Sequence, residues 1–530
     1  MMRTVYWVIP VLVTATCLLL ERPPAPERAD CPVERFSAER ALEYVKGIAR
    51  APHPMGSQEN DRVRAYVLDS LRDLGFDPYV PPSPRAPKNV IARRGGQDNT
   101  KAIILLAHYD SVGTGPGAAD DASGVAAILE ALRALNTGAP LRNDLIVLFT
   151  DGEEEPGLLG AKAFVEEQQV AMDEIGLVLN FEARGNAGQS FMFETSANNG
   201  NLIAAFAQAA PHPYATSFSQ AIYKQMPNDT DLTIFNEAGL PGMNFAFVGG
   251  LPYYHSPRDT PENLSLRSLQ QHGDYALALA RHFGNRDLRS LDAPPSSYFS
   301  LLGRWLVHYP ESWAPYLLAL GVLLLLALSV RLYRGGQIRI RTVLGDAIII
   351  GVAVALLAAL VDAVWMRLFA VEEWDFYLID HLAWILLPVA LLTHLSIGAL
   401  SKTFAARHGA ASTVIGVLSV VAVLGVLALF LLPGAAYLFT WSLLGGVLSL
   451  ALLTWNQEGG RISRAMALFA GLALFPTFLL FTPMLLNLWH LVPFRGIQPV
   501  LIVALMSSMV LPVAEIAIAR NTAVPADESN

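Results

Sequence analysis

The sequence predicts an α/β domain, with a mixed and largely parallel sheet flanked by helices, followed by an all-α domain of several transmembrane helices. Two observations lead to this prediction. Over residues 31–290, short apolar runs such as "AIILLAH" and "DLIVLFT" alternate with helical patterns such as "ASGVAAILEALRALN". From about residue 313, apolar stretches recur that are each long enough, at about 20 residues, to cross a bilayer as a helix.

Length and composition agree with two unlike domains. A chain of 530 residues is too long for one hydrophobic core. Its 53% of hydrophobic and 16% of charged residues depart from ordinary globular usage towards membrane proteins. The net charge of -9, with no basic stripe, argues against nucleic acid as a partner. Two cysteines, Cys17 and Cys31, do not indicate a disulfide framework.

Residues 1–30 are predicted to form an N-terminal signal anchor and a linker. The apolar stretch over residues 5–20 follows Arg3, and a Pro-rich polar run comes after it. No A-x-A-like cleavage site follows the apolar stretch, so we expect an uncleaved anchor, with a cleaved signal peptide as the alternative.

Residues 291–312 are predicted to be a linker, and residues 313–530 a transmembrane domain of about seven helices. The apolar stretches lie near 315–333, 345–366, 379–400, 412–432, 435–454, 465–487 and 498–519. Pro476 and Pro483 could divide the sixth of them. Ionisable residues in or near these stretches leave a transporter or channel open as a further role: Asp362, Asp380, His381, His394 and Glu515.

The loops between these stretches predict the orientation of the chain in the membrane. Basic loops follow the first, third and fifth stretches, and the acidic loop "VEEWDFYLID" follows the second. The positive-inside rule places the basic loops in the cytoplasm. The α/β domain is then expected on the opposite side of the membrane.

Polar motifs occur where the predicted strands end, which is where sites form in parallel sheets. They are "LLAHYDS", "GAADDASGVAA", "TDGEEEPGLLG", "LNFEARG" and "YYHSPRDTPENL". Each alone is typical of a hydrogen-bonded strand end, a helix cap, an acidic loop or a turn. Together they supply imidazoles and carboxylates, which are ligands that zinc accepts. One ion needs three or four such ligands, and five ligands with a shared carboxylate hold two ions.

In order and spacing these motifs resemble the co-catalytic zinc aminopeptidases of metallopeptidase family twenty-eight, over residues 50–285. The segment "APHPMGSQEN" is similar to the membrane-bound branch of that family, whose members continue into a multi-span region. The resemblance implies a zinc aminopeptidase-like fold for residues 31–290 and two Zn²⁺ ions per chain. It further implies a membrane-anchored exopeptidase, most plainly an aminopeptidase, which hydrolyses peptides with a zinc-activated water.

The resemblance also implies roles for individual residues. The metal ligands would be His108, Asp120, Glu155, Glu182 and His255, with Asp120 shared between the two ions. Asp110 would hold the imidazole of His108, and Glu154 would be the general base. Glu153 is expected to be solvated, and a cis peptide bond is expected between Asp120 and Asp121. The sequence departs from many soluble members at Glu182, where they have aspartate.

Several alternatives remain open at this point. The enzyme could instead be a single-zinc, glutaminyl-cyclase-like or carboxypeptidase-like protein, or the chain could be a transport or binding protein with an accessory peptidase-like domain. Asp229 or Asp231 could shape the metal shell or meet the substrate's free amine, and either could simply cap a helix. The domain is expected in a bacterial periplasm or exterior. Sequons at Asn228 and Asn263 also permit an endoplasmic-reticulum or vacuolar lumen. The sequence does not predict the oligomeric state.

Overall fold

The structure is a computed structural model that describes residues 19–83, 87–154, 157–368, 382–455, 463–491 and 497–522, with positions 14, 16 and 17. The chain divides into two compact units. One is Glu21–Glu311, and the other combines Met1–Leu20 with Ser312–Asn530. Most of the predicted anchor at residues 5–20 lies outside the described residues.

A six-stranded mixed sheet forms the centre of the Glu21–Glu311 unit. Its strands are β1 Val90–Arg94, β2 Ala102–His108, β3 Leu145–Thr150, β4 Ile175–Ala183, β5 Ala187–Thr195 and β6 Gly242–Gly249, in the order β1-β3-β2-β4-β6-β5. The pairs β2–β3, β2–β4 and β4–β6 are parallel, whereas β1–β3 and β5–β6 are antiparallel. The predicted fold class, a largely parallel mixed sheet, is therefore confirmed.

Helices flank this sheet and begin at residues that suit helix starts. They are α1 Ala38–Ile48, α2 Gln58–Asp73, α3 Ala122–Leu135, α4 Leu159–Glu166, α5 Gly200–Ala209, α6 Ser217–Tyr223, α7 Asp231–Glu237 and α8 Leu266–Gly284. The side chains of Ser57 and Asp121 accept hydrogen bonds from the first turns of α2 and α3. Such caps pair backbone N–H groups that have no partner inside the helix.

Both faces of the sheet are covered, and this fixes where its polar residues can lie. Every residue of β2 and β3 is buried. Ile104 and Leu106 pack in one hydrophobic cluster, while Ile103 and Leu105 pack in the other. Because side chains alternate along a strand, His108 points to the same face as Ile104 and Leu106. His108 is the last residue of β2 and lies at the carboxyl end of that strand.

The predicted linker at residues 291–312 contains a β-hairpin. Its strands are β7 Ser296–Leu301 and β8 Trp305–Pro310, and they pair antiparallel. Leu302 and Gly303 both have positive φ, at 54° and 59°, which matches the tight turns that suit hairpin twist. The sequence predicts a linker here, whereas the two strands pair with each other and belong to the Glu21–Glu311 unit.

Among the described residues of the other unit, seven helical segments are long and apolar enough to cross a membrane, in agreement with the prediction of about seven. One of these segments, Ala465–Leu485, runs over two of the helices named next. The helices there are α9 Ala314–Arg334, α10 Ile340–Leu368, α11 Leu382–His408, α12 Ala410–Leu431, α13 Ala436–Thr454, α14 Arg464–Leu472, α15 Phe475–Leu491 and α16 Ile497–Thr522. The sixth apolar stretch divides into α14 and α15 just before Pro476. The acidic loop with Asp380, and its neighbour His381, lie outside the described residues.

One buried polar contact in this unit involves residues that were not singled out from the sequence. Asp346 on α10 is fully buried, and its Oδ1 lies 2.6 Å from Nδ1 of His408 on α11. The hydroxyl of Thr413 on α12 donates to the other carboxylate oxygen at 2.8 Å. Of the residues that were singled out, His394 has its Nδ1 2.9 Å from the hydroxyl of Ser507.

Candidate metal centre

Two imidazoles and three carboxylates meet at the carboxyl edge of the parallel strands. His108 and Glu182 lie at the ends of β2 and β4, Asp120 precedes α3, Glu154 follows β3, and His255 lies in the loop after β6. The Nε2 atom of His108 is 3.1 Å from Oδ1 of Asp120 and 3.6 Å from Oε2 of Glu182. The Nε2 atom of His255 is 3.2 Å from Oδ2 of Asp120 and 2.8 Å from Oε2 of Glu154. The two oxygens of Asp120 therefore face two different imidazoles.

The loop that carries Asp120 is held from both sides. The peptide bond between Asp120 and Asp121 is cis, as the resemblance implied. The carboxylate of Asp259 accepts hydrogen bonds from the backbone N–H groups of Ala119, at 2.8 Å, and Asp120, at 3.2 Å. Asp121 caps α3 through the N–H of Gly124 at 2.9 Å. Sequence reasoning gave Asp259 no role, although it stands four residues after His255 in the same motif.

Asp110 has its principal contacts with the glutamate loop. Its carboxylate accepts hydrogen bonds from the backbone N–H groups of Glu153, at 3.2 Å, and Glu154, at 3.3 Å. Towards His108, the closer contact to Nδ1 comes from the backbone carbonyl oxygen of Asp110 at 3.1 Å, and the carboxylate Oδ1 is at 3.5 Å. A carbonyl at Nδ1 fixes the tautomer that leaves Nε2 free to bind a metal.

The glutamate triplet begins right after a sharp turn. Gly152, two residues after the end of β3, has φ 76°, a backbone conformation that residues other than glycine rarely adopt. Glu154 then reaches His255, and Glu153 is only partly exposed rather than solvated. Glu155 lies outside the described residues. Of the triplet residues that the structure describes, Glu154 is the one in contact with His255.

The charges of the cluster shift the protonation of its members. Burial alone would lower the pKa of both imidazoles, but the nearby carboxylates have the larger effect. Glu182 contributes most to raising the pKa of His108 well above its usual value. Asp120 and Glu154 raise the pKa of His255 to about 10. Burial, together with the charge of Asp120, raises the pKa of Glu154 to about 8. Burial, together with the charge of Glu182, raises that of Asp121 well above its usual value. Such crowding of acids is what a bound cation would neutralise.

The donor set fits zinc. The ligand atoms of His108, Asp121 and Glu182 lie within 4.8 Å of one another, and so do those of His108, Asp120 and Glu154. Oδ2 of Asp121 and Oε1 of Glu154 are buried and have no hydrogen-bonding partner among the residues that the structure describes. Imidazole nitrogens and carboxylate oxygens at this spacing are the ligands of zinc sites.

The segment "APHPMGSQEN" braces the two loops that carry the cluster. The backbone N–H of His53 donates to the hydroxyl of Ser111 at 2.8 Å, just after the His108 strand. The amide of Asn60 donates to Oδ1 of Asp151 at 3.0 Å, at the start of the glutamate loop. Sequence reasoning matched this segment to a branch of the family without giving it a physical role.

Two further side chains border the cluster. Tyr254 stacks on His255 with ring centroids 3.7 Å apart, and burial and the charge of Asp120 raise the pKa of its phenol. Asp231 is fully buried and accepts a hydrogen bond from the hydroxyl of Thr150, whereas Asp229 is exposed. Of the two candidate aspartates, Asp231 is therefore the one inside the domain. The sequence analysis did not single out Tyr254, although its position directly before His255 in the chain could have indicated that it lies beside the cluster.

Comparison with known proteins gives the following relatives. Residues 89–280 match Peptidase family M28. Endoplasmic reticulum metallopeptidase 1 of Homo sapiens is 28% identical over 330 residues, which cover 55% of this chain and 36% of that protein. The vacuolar membrane protease of Candida albicans (strain WO-1) is 30% identical over 330 residues, covering 59% and 38%. The chain thus matches little more than a third of the length of these relatives.

Solved structures to which the chain is similar are more distant in sequence. An aminopeptidase from Aneurinibacillus sp. strain AM-1 is 17% identical with a TM-score of 0.40, over 47% of this chain and 95% of that one. A glutaminyl cyclase from Porphyromonas gingivalis is 19% identical with a TM-score of 0.37, over 46% and 96%. Likeness at this level does not distinguish between their activities.

Proposed function

We propose that this chain, which carries a peptidase family M28 domain at residues 89–280, is a membrane-anchored zinc exopeptidase that removes N-terminal residues from peptides. The family match confirms the resemblance drawn from the five motifs. Zinc as the metal agrees with the family and with the imidazole and carboxylate donors at the strand ends. The observation that carries the proposal is the Asp120 carboxylate, whose two oxygens face His108 and His255.

Two zinc ions per chain are part of this proposal. His108, Glu182 and one oxygen of Asp120 would hold the first ion. His255, the other oxygen of Asp120 and a glutamate of the triplet would hold the second. Bound zinc would supply an activated water and polarise the scissile carbonyl.

The geometry supports Glu154 as the triplet's ligand and Glu153 as the general base. Counting back from "GLLG" with the family pattern E-E-x-G-L-x-G gives Glu154 as base and Glu155 as ligand. Counting forward from β3 instead gives Glu153 as base and Glu154 as ligand. Glu155 is then an extra residue between these two glutamates and Gly157. Two contacts favour the second count. Oε2 of Glu154 lies 2.8 Å from His255, and Asp110 fixes the backbone of Glu153 and Glu154.

The remaining steps follow from the positions of this chain's side chains. Glu153 would take a proton from the attacking water and return it to the leaving amine. Tyr254, whose phenol is a hydrogen-bond donor beside His255, would stabilise negative charge that develops on the carbonyl oxygen. Asp231 would help to shape the metal shell, because its buried carboxylate accepts a hydrogen bond from Thr150, the last residue of β3.

A panel of fluorogenic aminoacyl amides tests the proposal on the full chain in detergent. We expect cleavage of substrates with a free amine, loss of cleavage after chelation, and recovery with added zinc. The matched control is the N-acetylated form of the best substrate. Equal cleavage of the acetylated substrate would contradict the aminopeptidase assignment, and cleavage that survives metal removal would contradict the metallopeptidase assignment.

A further inference from the structure

Three buried polar residues form a row across neighbouring strands behind the metal centre. Asn180 on β4 is opposite Asn244 on β6, and Asn244 is opposite Glu194 on β5. Their exposed fractions are 0%, 0% and 8%. Glu182 stands two residues after Asn180, so both side chains project from the same face of β4.

Hydrogen bonds join the row to Glu182. The amide nitrogen of Asn244 donates to Oε2 of Glu194 at 3.0 Å. The amide nitrogen of Asn180 donates to Oδ1 of Asn244 at 3.0 Å and to Oε1 of Glu182 at 3.3 Å. The chain of contacts therefore starts at one carboxylate and ends at another, with two amides between them.

The two carboxylates fix the direction of both amides. An ionised carboxylate only accepts hydrogen bonds, so each end of the row demands an amide N–H. Asn244 must turn its NH₂ towards Glu194, and its oxygen then faces Asn180. Asn180 must turn its NH₂ towards Asn244 and Glu182. Burial raises the pKa of Glu194, while amide donors from Asn244 and Asn236 oppose that rise.

This direction matters for Glu182 because its side chain is longer than that of aspartate by one methylene, which adds a torsion that must be fixed. The hydrogen bond from Asn180 holds Oε1. The other oxygen, Oε2, is then the one that faces Nε2 of His108 at 3.6 Å. Hydrogen-bonded partners that orient a ligand raise the affinity of the site for its metal.

We propose that Asn180, Asn244 and Glu194 position the Glu182 carboxylate for metal binding, with Glu194 as the anchor of the row. The inference rests on the proposed metal site and adds residues that do not touch the metal. They are positioning residues, and each acts through the next.

Zinc affinity of the full chain in detergent at pH 8, measured by competition with a chelator, tests the row. We expect Glu194→Leu, which has no atom to accept the hydrogen bond from Asn244, to weaken zinc binding about tenfold, the lower end of the range for residues that orient a ligand. The matched control is Glu130→Leu. Glu130 is also fully buried, but its carboxylate pairs with Arg40 and Arg133, away from the row. The control should keep the zinc affinity of the wild type.

A rescue variant separates positioning from general damage. The double variant Glu194→Gln/Asn244→Asp moves the carboxylate from position 194 to position 244 and conserves the total charge of the row. The amide at position 194 can then donate to position 244, which still accepts from Asn180. We expect the double variant to regain most of the lost affinity and the visible spectrum of the Co²⁺-substituted wild type, from which the single variant should differ.

Each outcome decides the inference. Loss in the single variant and recovery in the double variant support it. Unchanged affinity in Glu194→Leu, or loss without recovery, would overturn it while leaving the proposed function intact. A wild-type chain that binds no zinc would instead overturn the proposed function and the inference with it.

Discussion

Asp120 is the residue on which the candidate site depends, because it is the carboxylate between the two imidazoles. Its backbone is fixed by Asp259 and its neighbour Asp121 caps α3, so its side chain has little freedom to turn away. The glutamates are less constrained by sequence, since three of them follow one another. Their roles depend on where the chain turns after β3.

Single substitutions in the triplet distinguish the two possible registers. We expect Glu153→Gln to keep its zinc and lower kcat by about 10²–10⁴-fold, the usual scale for loss of a general base. Glu154→Gln should lose zinc, because it removes a ligand beside His255, and Glu155→Gln should change little. Zinc content and kcat of the three variants are the measurements. If Glu155→Gln loses zinc while Glu154→Gln keeps it, the count from "GLLG" is the right one.

The buried imidazole of His272 is expected to lower the stability of the domain at acid pH. It is fully buried, and burial lowers its pKa from 6.5 to about 3. The folded state therefore keeps this imidazole neutral, while the unfolded state takes up a proton once the pH falls below 6.5. The stabilisation is complete above pH 6.5 and is lost towards pH 3, by about 2 kcal/mol at pH 5. Unfolding of the domain at pH 7 and pH 5 should show a smaller difference in His272→Gln than in the wild type. An equal pH dependence in both would contradict this.

At the scale of the elements, the β7–β8 hairpin belongs to the Glu21–Glu311 unit. Tyr298 on β7 is fully buried and donates from its hydroxyl to Gln220 at 2.9 Å, and the N–H of Ser300 donates to the carbonyl oxygen of Ala215 at 2.9 Å. Removing the hairpin would expose this apolar surface and leave buried polar groups unpaired.

Two fragments test this boundary. A fragment covering residues 21–311 should fold, bind zinc and cleave aminoacyl amides, since every proposed ligand lies within it. A fragment that ends at residue 295 should unfold at a markedly lower temperature. Thermal melts and zinc content compare the two. Equal melting temperatures would show that the hairpin is a separate segment, and a folded, zinc-loaded 21–311 fragment without activity would show that the membrane helices complete the site.

The elements also show what the sequence could predict. Apolar runs of strand length, such as "DLIVLFT", predicted strands that the structure contains, although β5 was not among them, and polar residues at the ends of these runs predicted the candidate metal centre. The register of the glutamates could not be predicted, because it depends on the turn at Gly152. The row from Glu194 to Glu182 could not be predicted either, because Asn180, Asn244 and Glu194 become neighbours only through strand pairing. The hairpin was missed because its short strands resemble a polar spacer.

For the whole molecule, the charges of the loops predict which side of the membrane the peptidase domain faces. The described residues contain seven candidate spans, and the positive-inside rule predicts that the basic loop between α9 and α10 lies in the cytoplasm. Cysteines introduced near residues 374 and 336 can be labelled in intact cells with a reagent that does not cross the membrane. The first site should be labelled and the second protected. Labelling of both, or of the second alone, would contradict the orientation.

Zinc stoichiometry tests the central claim, a two-zinc site organised around Asp120, most directly. Metal analysis of the purified full chain should give two zinc ions per chain. The Asp120→Ala variant should lose both zinc and activity, because the side chain that would be shared by the two ions is gone. One ion per chain in the active wild type would point to the single-zinc alternative. An active wild type without zinc, or an Asp120→Ala variant that keeps two ions, would contradict the claim.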